Sequence, residues 1–298
     1  MRIATNTIST AIINSIDSLS TQQSTLQNEV STGQDVTEPE DNPSAVNAAL
    51  NIETELRQNT QYAANSTQAL SVAQASSAGL TTLQTVSNRA GELATLGTGT
   101  LGTDTMQSYG TETNQLIEEA VTAANTEYNG VYIYGGVASS TPPFSVTRDS
   151  SGDITNVAYS GSATSAAIPI SNSTNVSPTT DGTTNAGFAT FMNNLVSLRD
   201  SLNSGDTTGV TAAQSSLETD GDNITSAIAT NGGVQDRIEA AQTQQTSNTT
   251  NLQSDLSAEV DVDQPTTITK LDQVQTAYQA ALQSAVSTMQ LSILNYIH

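Results

Sequence analysis

The clearest pattern of apolar and polar positions lies near the C-terminal end of the chain, between Thr267 and Ile297. Apolar residues recur there at alternating spacings of three and four, which is the heptad spacing of a helix that packs along another helix. The positions in register are Ile268, Leu271, Gln275, Tyr278, Leu282, Ala285, Met289, Ser292 and Tyr296. Because Gly is absent and Pro265 precedes the pattern, the stretch predicts one long helix.

The N-terminal end of the chain has the same spacing from Thr5 to Val30. Both end segments carry few charges, whereas a solvated helix usually carries interspersed Lys and Glu. An ordinary bundle helix is the alternative interpretation of such a segment. We predict that the two end helices pair and that their apolar positions form an assembly interface. The predicted interface residues are Ile12, Ile16, Leu19, Leu26, Val30, Ile268, Leu271, Tyr278, Leu282, Ala285, Met289 and Tyr296.

The middle of the chain alternates between helical and β-rich patterns. Asn42 is a good N-cap and Pro43 suits the first helical position, so a helix is predicted from there to about residue 96, and a second from about 104 to 128. Residues 131–184 contain short β-branched and aromatic runs separated by Gly and Ser turns. Helical spacing resumes at 188 and continues to about 256, and Asn231-Gly232-Gly233 predicts a kink or break in it.

This order of elements predicts a mainly α fold, with a long helical rod, coiled-coil termini formed by the paired N- and C-terminal segments, and a small β-rich inserted domain. Three domains follow: a terminal coiled-coil domain of residues 1–33 plus 266–298, a helical rod of residues 34–130 plus 185–265, and the β-rich insert of residues 131–184. The low aromatic content of 4% and the absence of Trp also favour elongated helices over one thick core.

Composition excludes several classes of function. The 29 acidic and 7 basic residues give a net charge of −22, which repels phosphate backbones and anionic lipids, so neither nucleic acid nor a membrane surface is an expected partner. The chain has no Cys and no long apolar run, so we expect no thiol chemistry, no membrane span and no cleaved signal peptide. We predict no catalytic residues, no cofactor and no metal, and therefore no enzyme.

Several motifs together resemble those of the flagellin-like axial proteins. They are the start Met1–Asn6, the Gly- and Pro-rich loop from Gly33 to Pro43, the segment Tyr128–Gly136 at the entrance to the insert, Gly233–Glu239 at a helix start, and Asp261–Asp263 with Leu291–Tyr296 near the end. Three positions depart from the family pattern: Gln34 and Asp35 stand where the family usually has basic residues, and Pro265 stands where it usually has a helix former.

The resemblance, which is strongest to the proteins between hook and filament, implies a structural component of the bacterial flagellum that joins hook to filament as a mechanical adaptor through helix packing. It implies terminal helices in an inner tube, middle helices in an outer tube, and an extracellular location reached by type III export. The implied partners are further copies in a ring or tubular layer, another hook-associated protein on the hook side, filament flagellin on the distal side, and an export chaperone at the C-terminal region. A filament flagellin, or another secreted helical assembly or adhesion protein, is the alternative.

Overall fold

The computed structural model describes residues 2–35, 42–99 and 102–294, which contain six α-helices and three small antiparallel sheets. The helices are α1 (Arg2–Thr32), α2 (Pro43–Gly97), α3 (Thr103–Ala124), α4 (Gly182–Ser204), α5 (Thr207–Val260) and α6 (Gln264–Leu294). The prediction of a mainly α fold with paired N- and C-terminal segments is confirmed, because α1 packs along α6. The predicted cap is also present: the Asn42 side chain accepts a hydrogen bond from the Ala45 amide, 3.1 Å away.

Three antiparallel pairs of strands occupy the region between α3 and α4. They are β1 (Glu127–Tyr128) with β2 (Val131–Tyr132), β3 (Phe144–Arg148) with β4 (Ile154–Tyr159), and β5 (Ile168–Pro169) with β6 (Asn175–Val176). Asn129 and Gly130 join β1 to β2 with φ angles of 53° and 77°, the left-handed pair that a two-residue hairpin needs. A 3₁₀ turn, Ile133–Gly135, directly follows β2, so the strand is shorter than the apolar run Val131–Tyr134 indicates.

The best-packed core lies where α3, α4 and the β3–β4 hairpin meet, joined by α2 and α5. Tyr134 is fully buried, its ring meets the ring of Phe188 edge to face, and its hydroxyl donates to the carbonyl of Ser76 at 2.7 Å. Burial raises the pKa of the Tyr134 phenol well above its usual range. The 3₁₀ turn that interrupts the predicted strand therefore serves to direct this phenol into the helical core.

Helix α5 continues through Asn231-Gly232-Gly233, so the expected break in the helix is wrong. Asn231 is buried, donates from Nδ2 to the carbonyl of Pro178 at 3.3 Å, and accepts from Gln235 one turn later at 2.6 Å. Two helical glycines cost roughly 2 kcal/mol relative to alanine. Tertiary contacts of the residues around them offset this local preference, as they commonly do in long helices.

Contacts divide the chain into two compact units, residues 1–58 with 248–298 and residues 59–247. The first unit contains the α1–α6 pair, and the second contains the hairpins and the main core. The three-domain division drawn from the sequence stays a prediction.

Candidate assembly interface

The face of α1 that packs against α6 has a regular heptad spacing. The residues with reduced exposure follow one another at spacings of four and three along the helix. They are Ile12, Ile16, Leu19, Gln23, Leu26 and Val30. Leu26 is the most buried of them, with 6% of its surface exposed, whereas Ile13 lies outside the face and is 49% exposed. All five residues predicted on α1 therefore lie on the face towards α6.

The packed face of α6 begins one residue earlier than the apolar pattern suggests. It consists of Thr267, Leu271, Val274, Tyr278, Ala281, Ala285 and Thr288. Of the predicted residues on α6, Leu271, Tyr278 and Ala285 belong to this face, whereas Ile268 and Leu282 are 45% and 42% exposed. The Met289 side chain and Tyr296 lie outside the described residues.

The sequence pattern missed Thr267 and Val274, which are 3% and 8% exposed. A heptad register that starts at Thr267 would have found both. It exchanges three large apolar residues for two threonines and one alanine, and gains only Val274 in place of Gln275, so it is less hydrophobic. The difference leaves an outward apolar surface on α6, formed by Ile268, Leu282 and Val286, the last of which is 55% exposed. Whether these residues touch another chain stays a prediction.

Backbone hydrogen bonds join the end of α1 to the segment before α6. The Asp35 amide donates to the Val260 carbonyl at 2.8 Å, and the Val262 amide donates to the Gly33 carbonyl at 2.9 Å. Gly33 has a φ of 77°, a left-handed conformation that most side chains disfavour, and Gln264 donates from Nε2 to the Val30 carbonyl at 3.3 Å. Residues 33–35 are thus held against the segment before α6 mainly by main-chain hydrogen bonds.

The β3–β4 hairpin is attached to the helices by two arginines. Arg148 on β3 forms a two-pronged ion pair with Glu118 on α3, and this holds the pKa of the Glu118 carboxyl below its usual range. Arg199 on α4 is 4% exposed and donates from one nitrogen to Asn114 Oδ1 at 3.0 Å and to the Ile154 carbonyl at 2.7 Å. These contacts fix the hairpin on α3 and α4.

One buried carboxylate lies between α4 and α5. Asp220 is 7% exposed and accepts a hydrogen bond from Asn194 Nδ2 at 2.7 Å. Burial raises the pKa of its carboxyl, and the bond from Asn194 opposes that rise. Within the described ranges there is no group of three or more residues arranged to hold a metal ion, and no helix is both long and apolar enough to cross a membrane.

Comparison with known proteins gives matches of three kinds. Residues 3–139 match the family model of the bacterial flagellin N-terminal helical region. Flagellar hook-associated protein 3 of Salmonella typhimurium is 30% identical over 149 residues, which is 48% of this chain and 46% of that protein. The match thus spans about half the length of this curated relative.

Solved structures share the fold over most of the chain. A flagellar hook-associated protein from Vibrio parahaemolyticus covers 74% of this chain and 100% of its own, with a TM-score of 0.65 at 15% identity. Bacillus cereus FlgL covers 70% of this chain and 99% of its own, with a TM-score of 0.60 at 18% identity. Residues 3–139 therefore match the bacterial flagellin N-terminal helical region, and about half of the chain is similar to flagellar hook-associated protein 3.

Proposed function

We propose that this chain is a structural component of the bacterial flagellum that joins hook to filament as a mechanical adaptor through helix packing. The main support for the proposal comes from the end helices α1 and α6, which pack together. On the outward surface of α6, Ile268, Leu282 and Val286 nevertheless remain about half exposed. The similarity to a curated protein named for the flagellar hook supports the same function.

The predicted interface residues take two roles in this proposal. Ile12, Ile16, Leu19, Leu26 and Val30 hold α1 against Leu271, Tyr278 and Ala285 of α6, and so shape the pair that assembles. Ile268 and Leu282 contact the next copy, together with Met289 and Tyr296. An exposed apolar surface on a monomer is a common mark of an interaction surface, and the helical spacing here suits another helix.

The partners follow from this role. Copies of the chain associate in a ring or tubular layer, another hook-associated protein lies on the hook side, and filament flagellin lies on the distal side. An export chaperone binds the C-terminal region before secretion, and the chain reaches the cell exterior by type III export without a cleaved signal peptide. The function requires no catalysis and no cofactor. In this proposal the chain has three domains: the terminal coiled-coil domain, the helical rod, and the outer insert of residues 131–184.

Immunogold electron microscopy of flagellated cells tests the proposal, using antibody against residues 137–183. We expect label at one position on each flagellum, at the cell-proximal end of the filament, and none in a deletion strain. Label along the whole filament would identify the chain as a flagellin, and label away from the flagellum would refute both functions.

A further inference from the structure

The chain has very few cations, and most of those described are already paired. Arg57, Arg89, Arg148 and Arg199 each form an ion pair with a carboxylate of the same chain. Within the described side chains, Arg237 and Lys270 are the cations that form no such pair. In a chain with 29 acidic residues, an arginine that remains free is well suited to a carboxylate of another molecule.

Arg237 lines a cleft beside α5. The cleft has a volume of about 620 Å³, and it is lined by α4, α5 and the segment before α4. Val234, one turn before Arg237, is half buried and lines the same cleft. Arginine is one of the residue types enriched among those that contribute most to binding at protein interfaces.

A second groove of about 770 Å³ lies between α2 and α5 and shares no residue with the first. Its lining includes the exposed carboxylates Glu218 and Asp222 and the half-exposed Leu96, which is 48% exposed. Neither Glu218 nor Asp222 forms an ion pair within the described part of the chain. The negative charge of the groove therefore complements Arg237, and its apolar residue Leu96 complements Val234.

Glycines in the helices provide an independent observation. A Cβ added at Gly91, Gly187, Gly232 or Gly233 would meet no atom within 4 Å, so packing within the chain does not require glycine at these positions. A helical glycine costs about 1 kcal/mol relative to alanine. Gly91 lines the α2–α5 groove, Gly187 lines the cleft with Arg237, and Gly232 and Gly233 lie one turn before Arg237. Glycine there permits close approach of another backbone.

We propose that Arg237 of one copy binds in the α2–α5 groove of the next copy, against Asp222 and Glu218. The two surfaces differ, so the contact is heterologous and repeats from copy to copy, as a ring or tubular layer requires. This inference rests on the proposed self-association and names the residues that make one of its contacts. The occupant of the groove is a second copy of this chain.

Cysteine cross-linking tests the contact, because the chain has no Cys of its own. Arg237→Cys and Asp222→Cys are combined in the full chain, and flagella from cells that make it are oxidised and separated without reducing agent. The two positions lie 15 residues apart on α5, roughly 22 Å, so they cannot form a disulfide within one chain. We expect a ladder of dimers, trimers and larger species, and no ladder for either single variant.

The control pair is Glu239→Cys with Ser254→Cys, two exposed positions with the same spacing on α5. Dimers from Arg237→Cys alone would refute a heterologous contact. Absence of the ladder, with label still at the hook–filament boundary, would refute this inference and leave the proposed function intact. A ladder with label along the whole filament would support the contact and refute the junction role.

Two further variants separate contact from folding. Gly91→Leu adds a side chain in the groove at a position where a Cβ meets no atom within 4 Å, so we expect loss of the ladder with a melting temperature that is not lowered, whereas Ala78→Leu on the exposed side of α2 should keep the ladder. Arg237→Glu should reduce motility strongly, and the combination with Asp222→Arg should restore it. Full motility of Arg237→Glu alone would contradict the ion pair.

Discussion

The same substitution, leucine to alanine, at two positions of the α1–α6 pair should separate an effect on stability from an effect on assembly. Leu26 on α1 is 6% exposed and Leu282 on α6 is 42% exposed. Leu26→Ala removes a buried side chain, which costs about 2–3 kcal/mol at a two-helix contact, the lower part of the usual range. The α1 and α6 helices should then open roughly 30- to 150-fold more often, since 1.4 kcal/mol is a factor of ten.

Leu282→Ala should leave the free chain almost unchanged but weaken assembly. Complete burial of a leucine contributes about 1.5–3 kcal/mol, so the exposed part of Leu282 would contribute about 1 kcal/mol when another copy covers it. Combined with Ile268→Ala and Val286→Ala, the loss is about 3 kcal/mol for each copy, which is roughly 100-fold in the association constant. Every copy in a layer carries the same loss.

Amide hydrogen exchange measured by mass spectrometry tests the first effect, because it reports the opening of each helix separately. The second effect is measured as the fraction of hooks that carry filaments in cells with each variant. Exchange in α1 and α6 that is as fast in Leu282→Ala as in Leu26→Ala would contradict the outward position of Leu282. Filament formation by the triple variant at the level of the unmodified chain would contradict a role of the exposed residues in assembly.

Three further predictions concern the second unit. Arg199→Met should lower the free energy of unfolding by about 3 kcal/mol in urea titrations, because two buried oxygens lose a charged donor; a loss below 0.5 kcal/mol would contradict this. The pKa of Glu118 is lowered in the folded state, so its ion pair with Arg148 should stabilise the fold fully above pH 4.5, the ordinary pKa of Glu. This stabilisation should be lost as the pH falls through the lowered pKa. Glu118→Gln should remove that part of the pH dependence of the free energy of unfolding. Asp220 has a raised pKa, so Asp220→Asn, which can still accept from Asn194, should raise the melting temperature at pH 7, and a lower one would refute the stated cause.

The helices and their caps could be predicted because they depend on local residues. Apolar spacing gave both end helices, and the Asn42-Pro43 pair gave the start of α2. The α6 register could not be obtained from hydrophobicity, since Thr267 packs inward while Ile268 remains 45% exposed. Burial in a helix pair depends on the partner's surface as well as on the residue's own polarity.

The attachment of the hairpin could not be predicted for a different reason. Arg199 meets Asn114, 85 residues earlier, and the carbonyl of Ile154, and no local pattern signals either contact. The course of α5 through Gly232 and Gly233 likewise depends on contacts of Asn231 with the segment before α4. Local rules describe the preference of a segment, and distant partners decide whether that preference is followed.

The distribution of side-chain size on α6 argues for assembly as the role of this helix. Towards α1 the helix presents small and hydroxylated residues at several heptad positions, including Thr267, Ala281 and Ala285, while Ile268 and Leu282 face outward. A helix that evolved only to stabilise the monomer would gain more by placing its larger apolar side chains inward. Because Ile268 and Leu282 face outward, their burial can stabilise a contact with another copy instead. Helix α6 should therefore be more stable in an assembled layer than in the free chain.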